Sequence, residues 1–397
     1  MSHVSVADHR AAVARVLGSP RTGVIALDWR AAGRRLAADL LAADDLPRFD
    51  TSAMDGYAVR PAGGGGRSFR VVGDLAAGDP AEVVLGPGQA VRIMTGARVP
   101  ASATAVVPVE RTDAAPTGPV PARVAVSQDP APGQHVRRQG EDACAGAVLA
   151  SAGSVVTPAL LALARSAGCA FAEVFLRTRV AVVATGTELT APGRPPGSAG
   201  IHESNSDMVA ALARESGCDI TRVRTCSDDA AEFASVLLEL DAAPDVDLVV
   251  TTGGVSQGAY EVVKQVCGPL PTFAFDHVAM QPGAPQGLGR FGATPVVCLP
   301  GTPVGSFVSF VMLLRPSLDG LHGAPPRVAR RAAYVGPGRR VRPGRVQFVT
   351  AVLTPEGSVT AAHRHHLTAL AAANALIEVP EDVEQLVEGD VVTVHPL

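Results

Sequence analysis

The sequence predicts a multidomain protein that combines an α/β domain with all-β domains. Its 397 residues exceed what a single hydrophobic core usually supports. Apolar strands alternate with amphipathic helices between residues 179 and 314, a pattern typical of a parallel-rich sheet covered on both faces. On both sides of this region, glycine and proline turns separate short β-prone runs, which indicates all-β domains.

Composition excludes several classes of protein. A net charge of −4 argues against a general nucleic-acid-binding surface. The longest apolar run, Phe307–Leu314, is far shorter than the ~18 residues that a membrane span needs. The 6 cysteines are scattered without a Cys-x-x-Cys pair, which favours reduced thiols over disulfides or a zinc site. We therefore expect a cytoplasmic protein without nucleic-acid or membrane partners.

The N-terminal half is predicted to hold two helical segments around a small β domain. Residues 22–45 have leucine and valine spacing that predicts helix, and residues 157–167 predict a second helix with Pro158 in its first turn. Between them, β-prone runs are separated by glycine and proline turns. These runs are Ser68–Val72, Glu82–Leu85, Ala90–Met94, Ala105–Val109 and Arg123–Ser127.

The second half begins with the alternating region. Strands are predicted at 179–184, 221–225, 247–252, 273–279 and 295–299. Helices are predicted at 207–215, 229–240 (capped by Ser227 or Asp228), 261–266 and 304–314. After Pro316, residues 327–397 are strand-like with one short helix near 368–374, which predicts a small C-terminal β domain.

Three predicted strands end in glycine-containing loops. These loops are Thr185–Leu189, Thr251–Ser256 and Leu299–Pro303. Ligands of open α/β sheets lie beyond the carboxyl ends of the strands, and backbone N–H groups of consecutive glycines can hold an anion there. A single such loop favours an ordinary tight turn, whereas three together favour a phosphate site, with Glu188 and Asp228 as nearby carboxylates.

Other polar stretches allow two interpretations from the residues alone. The Ser- and Asp-rich stretch around Asp55 is either a functional loop or a turn in which Asp55 caps its own backbone. The stretch at 137–142 mixes charge signs and is consistent with a solvated face. Three histidines at 363, 365 and 366 favour a solvated loop over a metal site.

At these stretches the chain resembles the molybdopterin molybdenumtransferase family, which includes MoeA and the gephyrin E domain. The segment Thr51–Ala58 (TSAMDGYA) is similar to the family signature. Further motifs follow in the family's order, and the resemblance extends from about residue 11 to residue 397. They are Arg92–Ala97, Gly140–Asp142, Thr185–Leu189, Ser204–Ser206, Gly253–Ser256, Pro282-Gly283 and Leu299–Gly301.

The resemblance implies four domains and a homodimer. Residues 1–45 with 143–172 would form a helical connecting domain, and residues 46–142 an inserted β domain. Residues 173–322 would form a three-layer, molybdopterin-binding α/β domain, and residues 323–397 a small β-barrel. In the family, the Asp55 region of one subunit faces the α/β domain of the other subunit.

The implied activity is Mg²⁺-dependent insertion of molybdate into adenylylated molybdopterin with release of AMP. Mg²⁺ prefers a few carboxylates together with phosphate oxygens. The resemblance implies catalytic roles for Asp55, Asp142, Glu188 and Asp228, of which Glu188 and Asp55 would hold Mg²⁺. It implies substrate binding by Thr95, Gly253, Gly254, Ser256, Pro300, Gly301 and Arg345. A molybdopterin adenylyltransferase and molybdoenzyme maturation proteins are the further partners that it suggests.

The chain departs from the family at positions expected to meet an oxyanion. Gln281 and Ala284 stand where the family usually has lysines, and Thr187 where it usually has aspartate. These departures leave open a catalytically weakened paralogue that serves as a molybdopterin carrier or scaffold. A third alternative, an adenylyltransferase built on the same α/β domain, is disfavoured by the flanking β domains.

Overall fold

The computed structural model describes residues 4–63, 66–256, 258, 261–362 and 366–397. Contacts divide the chain into a large unit, Met1–Thr22 with Phe175–Leu397, and a small unit, Gly23–Val174. The four predicted domain boundaries are finer than this division and stay a prediction. The large unit begins with helix α1 (Val6–Leu17), whose N-cap Ser5 accepts a hydrogen bond from the backbone of Asp8. Helix α1 was not predicted individually from the residue pattern, although it lies in the N-terminal segment that the family resemblance implies to be helical.

The small unit consists of short strands and one α-helix. Its strands are β1 (Thr22–Ala26), β2 (Leu40–Leu41), β3 (Thr51–Ser52), β4 (Gly56–Arg60), β5 (Ser68–Leu75), β6 (Gln89–Ile93), β7 (Ala105–Pro108), β8 (Arg123–Ala125), β9 (Val136–Arg137), β10 (Val148–Ala150) and β11 (Phe171–Phe175). Its helix is α2 (Pro158–Ser166), and 3₁₀ turns span Trp29–Ala31 and Val109–Arg111.

The predicted inserted β domain contains a sheet with the strand order β7-β4-β6-β5-β8. Successive residues of β4 enter different apolar clusters: Tyr57 and Val59 pack on one side, and Ala58 on the other. The sheet is therefore covered on both faces. The predicted strand at 82–85 is wrong. Leu85 is fully buried, but its N–H donates to the Ser102 hydroxyl (2.8 Å) instead of a neighbouring strand.

The helix predicted at 22–45 is also wrong. Residues of this segment form β1, a 3₁₀ turn and β2, and β1 pairs with β11. The N–H of Leu27 donates to the carbonyl of Ala170, and Gly33 has a φ of +80°, which interrupts a helix. Apolar residues at mixed spacing fit both a helix and a bent strand, and pairing with a distant segment decided the outcome. The second predicted helix is confirmed as α2, with Thr157 as its N-cap.

The large unit continues with alternating strands and helices. Its strands are β12 (Arg179–Thr185), β13 (Leu189–Thr190), β14 (Ile201–His202), β15 (Asp219–Cys226), β16 (Leu248–Thr252), β17 (Ala274–His277), β18 (Met280–Gln281), β19 (Pro285–Phe291) and β20 (Thr294–Leu299). Its helices are α3 (Asn205–Glu215), α4 (Ala230–Ala242), α5 (Val262–Cys267), α6 (Pro303–Ser309) and α7 (Arg315–Leu321), with a π-helical segment at Phe310–Leu314.

These elements form the predicted three-layer α/β arrangement. The sheet order is β15-β12-β16-β20-β19-β17, with parallel pairing from β15 to β20 and antiparallel pairing of β19 and β17. One apolar cluster packs α1, α3 and α6 on one face, and a second packs α4 and α5 on the other. Both faces are therefore buried, which explains the unbroken apolar runs of the central strands.

Two features of this domain differ from expectation. Strand β19 was not predicted because it contains Gly287 and Gly289. A Cβ at these positions would lie 2.7 Å from the ring of Phe275 and 2.6 Å from that of Phe273. The helix predicted at 304–314 continues to Leu321. Its π-helical segment leads directly into α7, and Pro316 lies in the first turn of α7, where a proline does not end the helix.

The chain ends in a closed β-barrel, as predicted. Its elements are β21 (Arg330–Tyr334), β22 (Arg339–Arg340), β23 (Val346–Leu353), β24 (Ser358–Ala361), α8 (Leu367–Ala372), β25 (Ala375–Val379), β26 (Gln385–Leu386) and β27 (Val391–Pro396). Pairing runs β23-β24-β21-β27-β25 and returns from β25 to β23. Closure removes the exposed edges that an open sheet would have.

Among the described residues, the helix Pro303–Leu321 is the one segment whose length and composition would permit a membrane span. Its most apolar window has a mean hydropathy of 1.2 and is 72% buried within the protein.

A partly buried ion pair holds the start of β16, where the side chain of Asp247 is 14% exposed and that of Arg179 is 36% exposed. Burial alone would raise the pKa of Asp247, but hydrogen bonds from the side chain and backbone of Arg179, and from Arg21, lower that pKa to about 2. Because the pKa is lower in the folded state, this stabilisation is present above about pH 4 and is lost as the pH falls towards 2.

Asp247→Asn is expected to lower the free energy of unfolding by about 2 kcal/mol near neutral pH. The difference from wild type should shrink between about pH 4 and pH 2.5, because the wild-type carboxylate becomes protonated there. Thermal unfolding followed at several pH values measures both effects. Asp245→Asn, in a more exposed pair with Arg222, is the matched control and should cost less. A difference that stays constant across this pH range would contradict the assignment.

Candidate functional site

A cavity of about 760 Å³ opens at the carboxyl ends of β12, β16 and β20, within the large unit. The three glycine loops predicted from the sequence all contribute to its wall. Its lining includes Gly186, Glu188, Glu203, Asn205, Asp228, Gly253, Gly254, Ser256, Glu261, Gly283, Pro300, Gly301 and Thr302. The strand order thus brings together Glu188, Asp228, Gly253, Gly254, Ser256, Pro300 and Gly301 from the predicted site.

The loop after β16 requires glycine at two successive positions. Gly253 and Gly254 have φ values of +91° and +67°. A Cβ at Gly253 would lie 2.6 Å from the carbonyl oxygen of Thr185, and one at Gly254 would lie 2.6 Å from Cγ2 of Val263. The Gly253 N–H donates to the carbonyl of Leu299 at 3.1 Å, so of these two glycines only Gly254 can offer its N–H to an anion.

Glu261, the N-cap residue of α5, and Lys264 within α5 hold this loop in place. Oε2 of Glu261 accepts the backbone N–H of Ser256 at 2.8 Å, and Nζ of Lys264 donates to the Ser256 carbonyl at 2.7 Å. Lys264, the sole lysine of the chain, also lies 5.7 Å from the centre of the Phe275 ring. Both amide groups that flank the Ser256 side chain are therefore held by charged partners. Sequence reasoning did not identify these bracing roles, which depend on the fold of the loop back onto α5.

Two carboxylates follow β12 and β15, and their surroundings differ. The exposed Glu188 carboxylate folds over Gly186 and has no hydrogen bond or ion pair with the residues that the structure describes. Half-buried Asp228 accepts the N–H of Thr187 at 2.9 Å, and the Thr187 hydroxyl accepts the N–H of Asp228 at 3.1 Å. The Glu188 carboxylate can thus accept a cation without losing a bond to the described residues, whereas hydrogen bonds with Thr187 hold Asp228 in position.

The predicted cap of α4 is wrong in a way that matters for Asp228. The N-cap is Asp229, whose carboxylate accepts the N–H of Glu232 at 2.8 Å. Neither Ser227 nor Asp228 caps the helix, because the chain enters α4 one residue later than the sequence pattern indicates. Asp228 is therefore left to bond with Thr187 at the cavity wall.

A buried carboxylate holds the start of α3. Glu203 is only 7% exposed and accepts the N–H groups of Asn205 (2.6 Å) and Ser206 (3.0 Å). The side-chain amide of Asn205 donates to the carbonyl of Gly301 at 2.7 Å. This network ties α3 to the loop after β20. Sequence reasoning placed residues 204–206 in a family motif but did not single out Glu203.

The remaining predicted site residues lie outside this cavity. In the small unit, Thr95 donates to Oδ1 of Asp55 from its backbone N–H (2.6 Å) and from its hydroxyl (2.7 Å). These bonds, the backbone one first, hold the pKa of Asp55 below its usual value, so this exposed carboxylate is ionised at neutral pH. Its acceptor bonds are to Thr95 and not to its own turn.

Asp142 and Arg345 are not among the residues that line the cavity. Asp142, also in the small unit, pairs with Nη2 of Arg137 at 2.5 Å in an exposed ion pair. Arg345 lies half-buried in the large unit just before β23 and does not line the cavity wall. Within the described residues, no three His, Cys, Asp or Glu side chains form a group suited to a metal ion. Histidines 363 and 365 of the predicted cluster lie outside the described residues.

Comparison with known proteins gives a consistent assignment along the chain. Residues 4–168 match the family model "MoeA N-terminal region (domain I and II)", residues 181–320 match "Probable molybdopterin binding domain", and residues 337–397 match "MoeA C-terminal region (domain IV)". Molybdopterin molybdenumtransferase 2 of Mycobacterium tuberculosis is 42% identical over 97% of both chains. The chain belongs to the molybdopterin molybdenumtransferase family. The resemblance inferred from the motifs is thereby confirmed.

Similarity to more distant members of the molybdopterin molybdenumtransferase family supports the same assignment. The molybdopterin molybdenumtransferase of Haemophilus influenzae is 31% identical over 92% of both chains. The crystal structure of the molybdopterin biosynthesis MoeA protein from Pyrococcus horikosii is 26% identical, covers 100% of this chain and 99% of its own, and superposes with a TM-score of 0.80. The predicted fold class is therefore confirmed.

Glu203→Ala is expected to destabilise the protein by about 1–2 kcal/mol, because two backbone N–H groups lose a buried acceptor. Hydrogen exchange at Asn205 and Ser206 should accelerate more than exchange in the rest of α3. Arg214→Ala, at an exposed position of the same helix, is the control and should change stability by less than about 0.5 kcal/mol. Unchanged exchange at residues 205 and 206 would disprove the capping role.

Proposed function

We propose that this chain is a transferase of molybdenum cofactor biosynthesis that inserts molybdate into adenylylated molybdopterin and releases AMP with the help of Mg²⁺. The observation that carries the proposal is that one cavity combines the N-terminus of the helix that begins at Pro303 with the carboxylate of Glu188, which has no partner among the described residues. Family membership supports the substrate class, because the similar proteins are named molybdopterin molybdenumtransferases.

The helix termini around the cavity support a phosphate site at the Gly301–Thr302 turn. Buried Glu203 already occupies the N-terminus of α3, and Asp229 caps that of α4. The helix that begins at Pro303 has Thr302 as N-cap, and the Thr302 side chain makes no capping bond. The positive potential of this third terminus is therefore available to an anion that also meets the Gly254 backbone.

The donor set fits a Mg²⁺ ion that arrives with its substrate. Mg²⁺ commonly binds one or two carboxylates, several waters and substrate phosphate oxygens, so it does not need a preformed group of three acidic side chains. Glu188 would hold the ion, and Asp228 is the second carboxylate on the same wall. When bound, the ion would neutralise the charge that develops on the phosphoanhydride as AMP leaves.

We further propose that the site is completed by a second copy of the chain. Asp55 and Thr95 belong to the small unit, whereas the cavity is formed entirely by the large unit. The ionised Asp55 carboxylate is held by Thr95 but does not contact any cation among the described residues, so it remains available to orient water or a metal ion. In a homodimer, two such sites would form through one repeated interface.

The loop that departs from the family supports a second candidate function, a molybdopterin carrier with weak molybdate insertion. Gly283 and Pro285 line the cavity, whereas Gln281 and Ala284 beside them carry no charge. Oε1 of Gln281 is buried without a hydrogen-bond partner in the described structure. A dianion bound near this loop would lack the lysines that the family uses, which weakens oxyanion binding more than binding of the pterin nucleotide.

Glu188→Gln and Asp55→Asn are each expected to reduce cofactor formation by about 10²-fold or more. The melting temperature of Glu188→Gln should stay at the wild-type value, because its carboxylate has no hydrogen-bond or ion-pair partner among the described residues. The assay contains adenylylated molybdopterin, molybdate and Mg²⁺, and it measures molybdenum cofactor and AMP. Glu239→Gln, which breaks an exposed pair with Arg224, is the control and should retain full turnover. Normal turnover of both variants would refute the proposed chemistry.

Mixing the two inactive variants tests the shared site. If each site combines Asp55 of one subunit with Glu188 of the other, a mixed dimer contains one intact site and one doubly altered site. Random exchange of subunits then restores about a quarter of the wild-type sites. Absence of recovery after exchange that is verified by mass would show that both residues act within one subunit or in no common site.

Gln281→Lys combined with Ala284→Lys is expected to lower the molybdate concentration needed for half-maximal insertion by about tenfold. Binding of the pterin nucleotide should change less, because backbone N–H donors do not depend on these side chains. Molybdate is titrated against cofactor formation for both proteins. If the wild-type protein already saturates at low molybdate and the lysines have no effect, the missing lysines do not limit oxyanion binding and the carrier hypothesis loses its support.

A further inference from the structure

A second cavity in the large unit contains charges that the proposed reaction does not use. It has a volume of about 360 Å³ and lies where α1, the Phe310–Leu321 part of the long helix, the segment at 324–328 and the end of β27 meet. It shares no lining residue with the cavity beyond the strand ends. Its lining includes Arg10, Met312, Arg315, Asp319, Gly320, Arg327, Val328 and His395.

Arg315 is a buried cation with incomplete pairing. Its side chain is 3% exposed, and its Nε is buried without a hydrogen-bond partner in the described structure. Nη2 lies 3.4 Å from Oε2 of Glu215, a side chain that is itself 68% exposed to solvent. Burial, and then the neighbouring Arg327, lower the pKa of Arg315, although a guanidinium remains charged at neutral pH. An incompletely paired buried charge is costly, which favours an additional anionic partner.

Arg10 contributes a second cation to the same cavity. Its Nε donates to the carbonyl of Met312 at 2.5 Å, and its terminal nitrogens have no hydrogen bond with the described residues. Burial lowers the pKa of Arg10, against the opposing influence of Glu378. Arg10 therefore also presents guanidinium N–H donors without carboxylate partners at hydrogen-bond distance.

The acidic side chains near this cavity already have other partners. Asp319 accepts a hydrogen bond from Nε of Arg327 at 2.9 Å, and Glu378 pairs with Nε2 of His395 at 2.6 Å. Arg10 and Arg315 therefore keep donors that these carboxylates do not satisfy, and so do the terminal nitrogens of Arg327, whose side chain is 49% exposed to solvent. The rest of the wall is largely apolar, with Val311, Met312, Pro316, Ala324, Pro326 and Pro396.

We propose that this cavity is a second binding site, specific for a small organic anion whose carboxylate, sulfonate or phosphate group pairs with Arg10 and Arg315 and whose apolar body packs against the remaining wall. Guanidinium groups suit such oxyanions because they donate two parallel hydrogen bonds. The volume admits one small ligand and excludes a folded partner. The proposal stands independently of the proposed transferase activity.

Naphthalene-2-sulfonate is a suitable probe, and naphthalene-2-sulfonamide is its neutral counterpart. Isothermal titration calorimetry on the full chain is expected to give one sulfonate per chain with a Kd below about 1 mM. The sulfonamide should bind at least about tenfold more weakly, because it carries no charge for the arginines. Equal binding of the two probes, or no binding of the sulfonate, would overturn the proposal.

Substitution of the lining arginines tests whether the sulfonate binds in this cavity. Arg10→Gln and Arg315→Gln should each weaken sulfonate binding by about tenfold or more. Arg331→Gln, at a strand arginine that does not line the cavity, is the matched control and should have no effect. If the control weakens binding as much as the two cavity variants, the probe binds through general charge attraction and the proposal fails.

A variant that fills the cavity keeps the test valid if loss of Arg315 impairs folding. Gly320 lies in α7 on the cavity wall, and a Cβ at this position would meet no atom within 4 Å. Gly320→Leu is therefore expected to fold with equal or greater stability, since leucine favours a helix over glycine. It should abolish sulfonate binding. Retained binding by folded Gly320→Leu would show that the probe binds elsewhere.

Discussion

Close approach of backbone at the ends of three parallel strands is the constraint on which the site depends. A Cβ at Gly253 would lie 2.6 Å from the carbonyl oxygen of Thr185, and one at Gly301 would lie 3.4 Å from Cα of Gly253. Any side chain at Gly253 would separate β12 from the loop after β16. Glycine at this position lets the Gly253 N–H donate to the carbonyl of Leu299 while its Cα packs against the Thr185 backbone, which joins the three strand ends. The carboxylates around the cavity act from loops that this approach holds together.

The helix termini around the cavity then decide where a negative ligand can bind. Each terminus offers unpaired N–H groups and positive potential, but Glu203 at α3 and Asp229 at α4 already satisfy two of them. The long helix that begins at Pro303 lacks such an acidic cap. Of the termini of α3, α4 and the long helix, only the last is therefore open to a ligand phosphate, which favours one orientation of the ligand in the cavity.

The sequence predicted most of this architecture, because unbroken apolar strands and amphipathic helices leave local signals. It failed where distant contacts decide local structure. Residues 22–26 form a strand because they pair with β11, and Gly287 and Gly289 occur in β19 because the rings of Phe275 and Phe273 leave no room for a Cβ. For the site, the glycine loops, Glu188 and Asp228 could be predicted from motifs. Glu203, Glu261 and Lys264 could not, since their roles are hydrogen bonds to loops that are positioned only in the folded chain.

In both cavities, a charged side chain with incomplete pairing is left for a ligand. The charge is negative in the cavity beyond the strand ends and positive in the second cavity. Most acidic side chains near them are satisfied internally: Asp228 by Thr187, Asp319 by Arg327, and Glu378 by His395. Glu188 in one cavity and Arg315 in the other lack such complete pairing. An exposed carboxylate is stabilised by water, so it can remain ionised without a partner until the substrate brings a cation. A buried guanidinium has no such compensation, so its unmet donors define the charge of a ligand more strictly than the exposed carboxylate does.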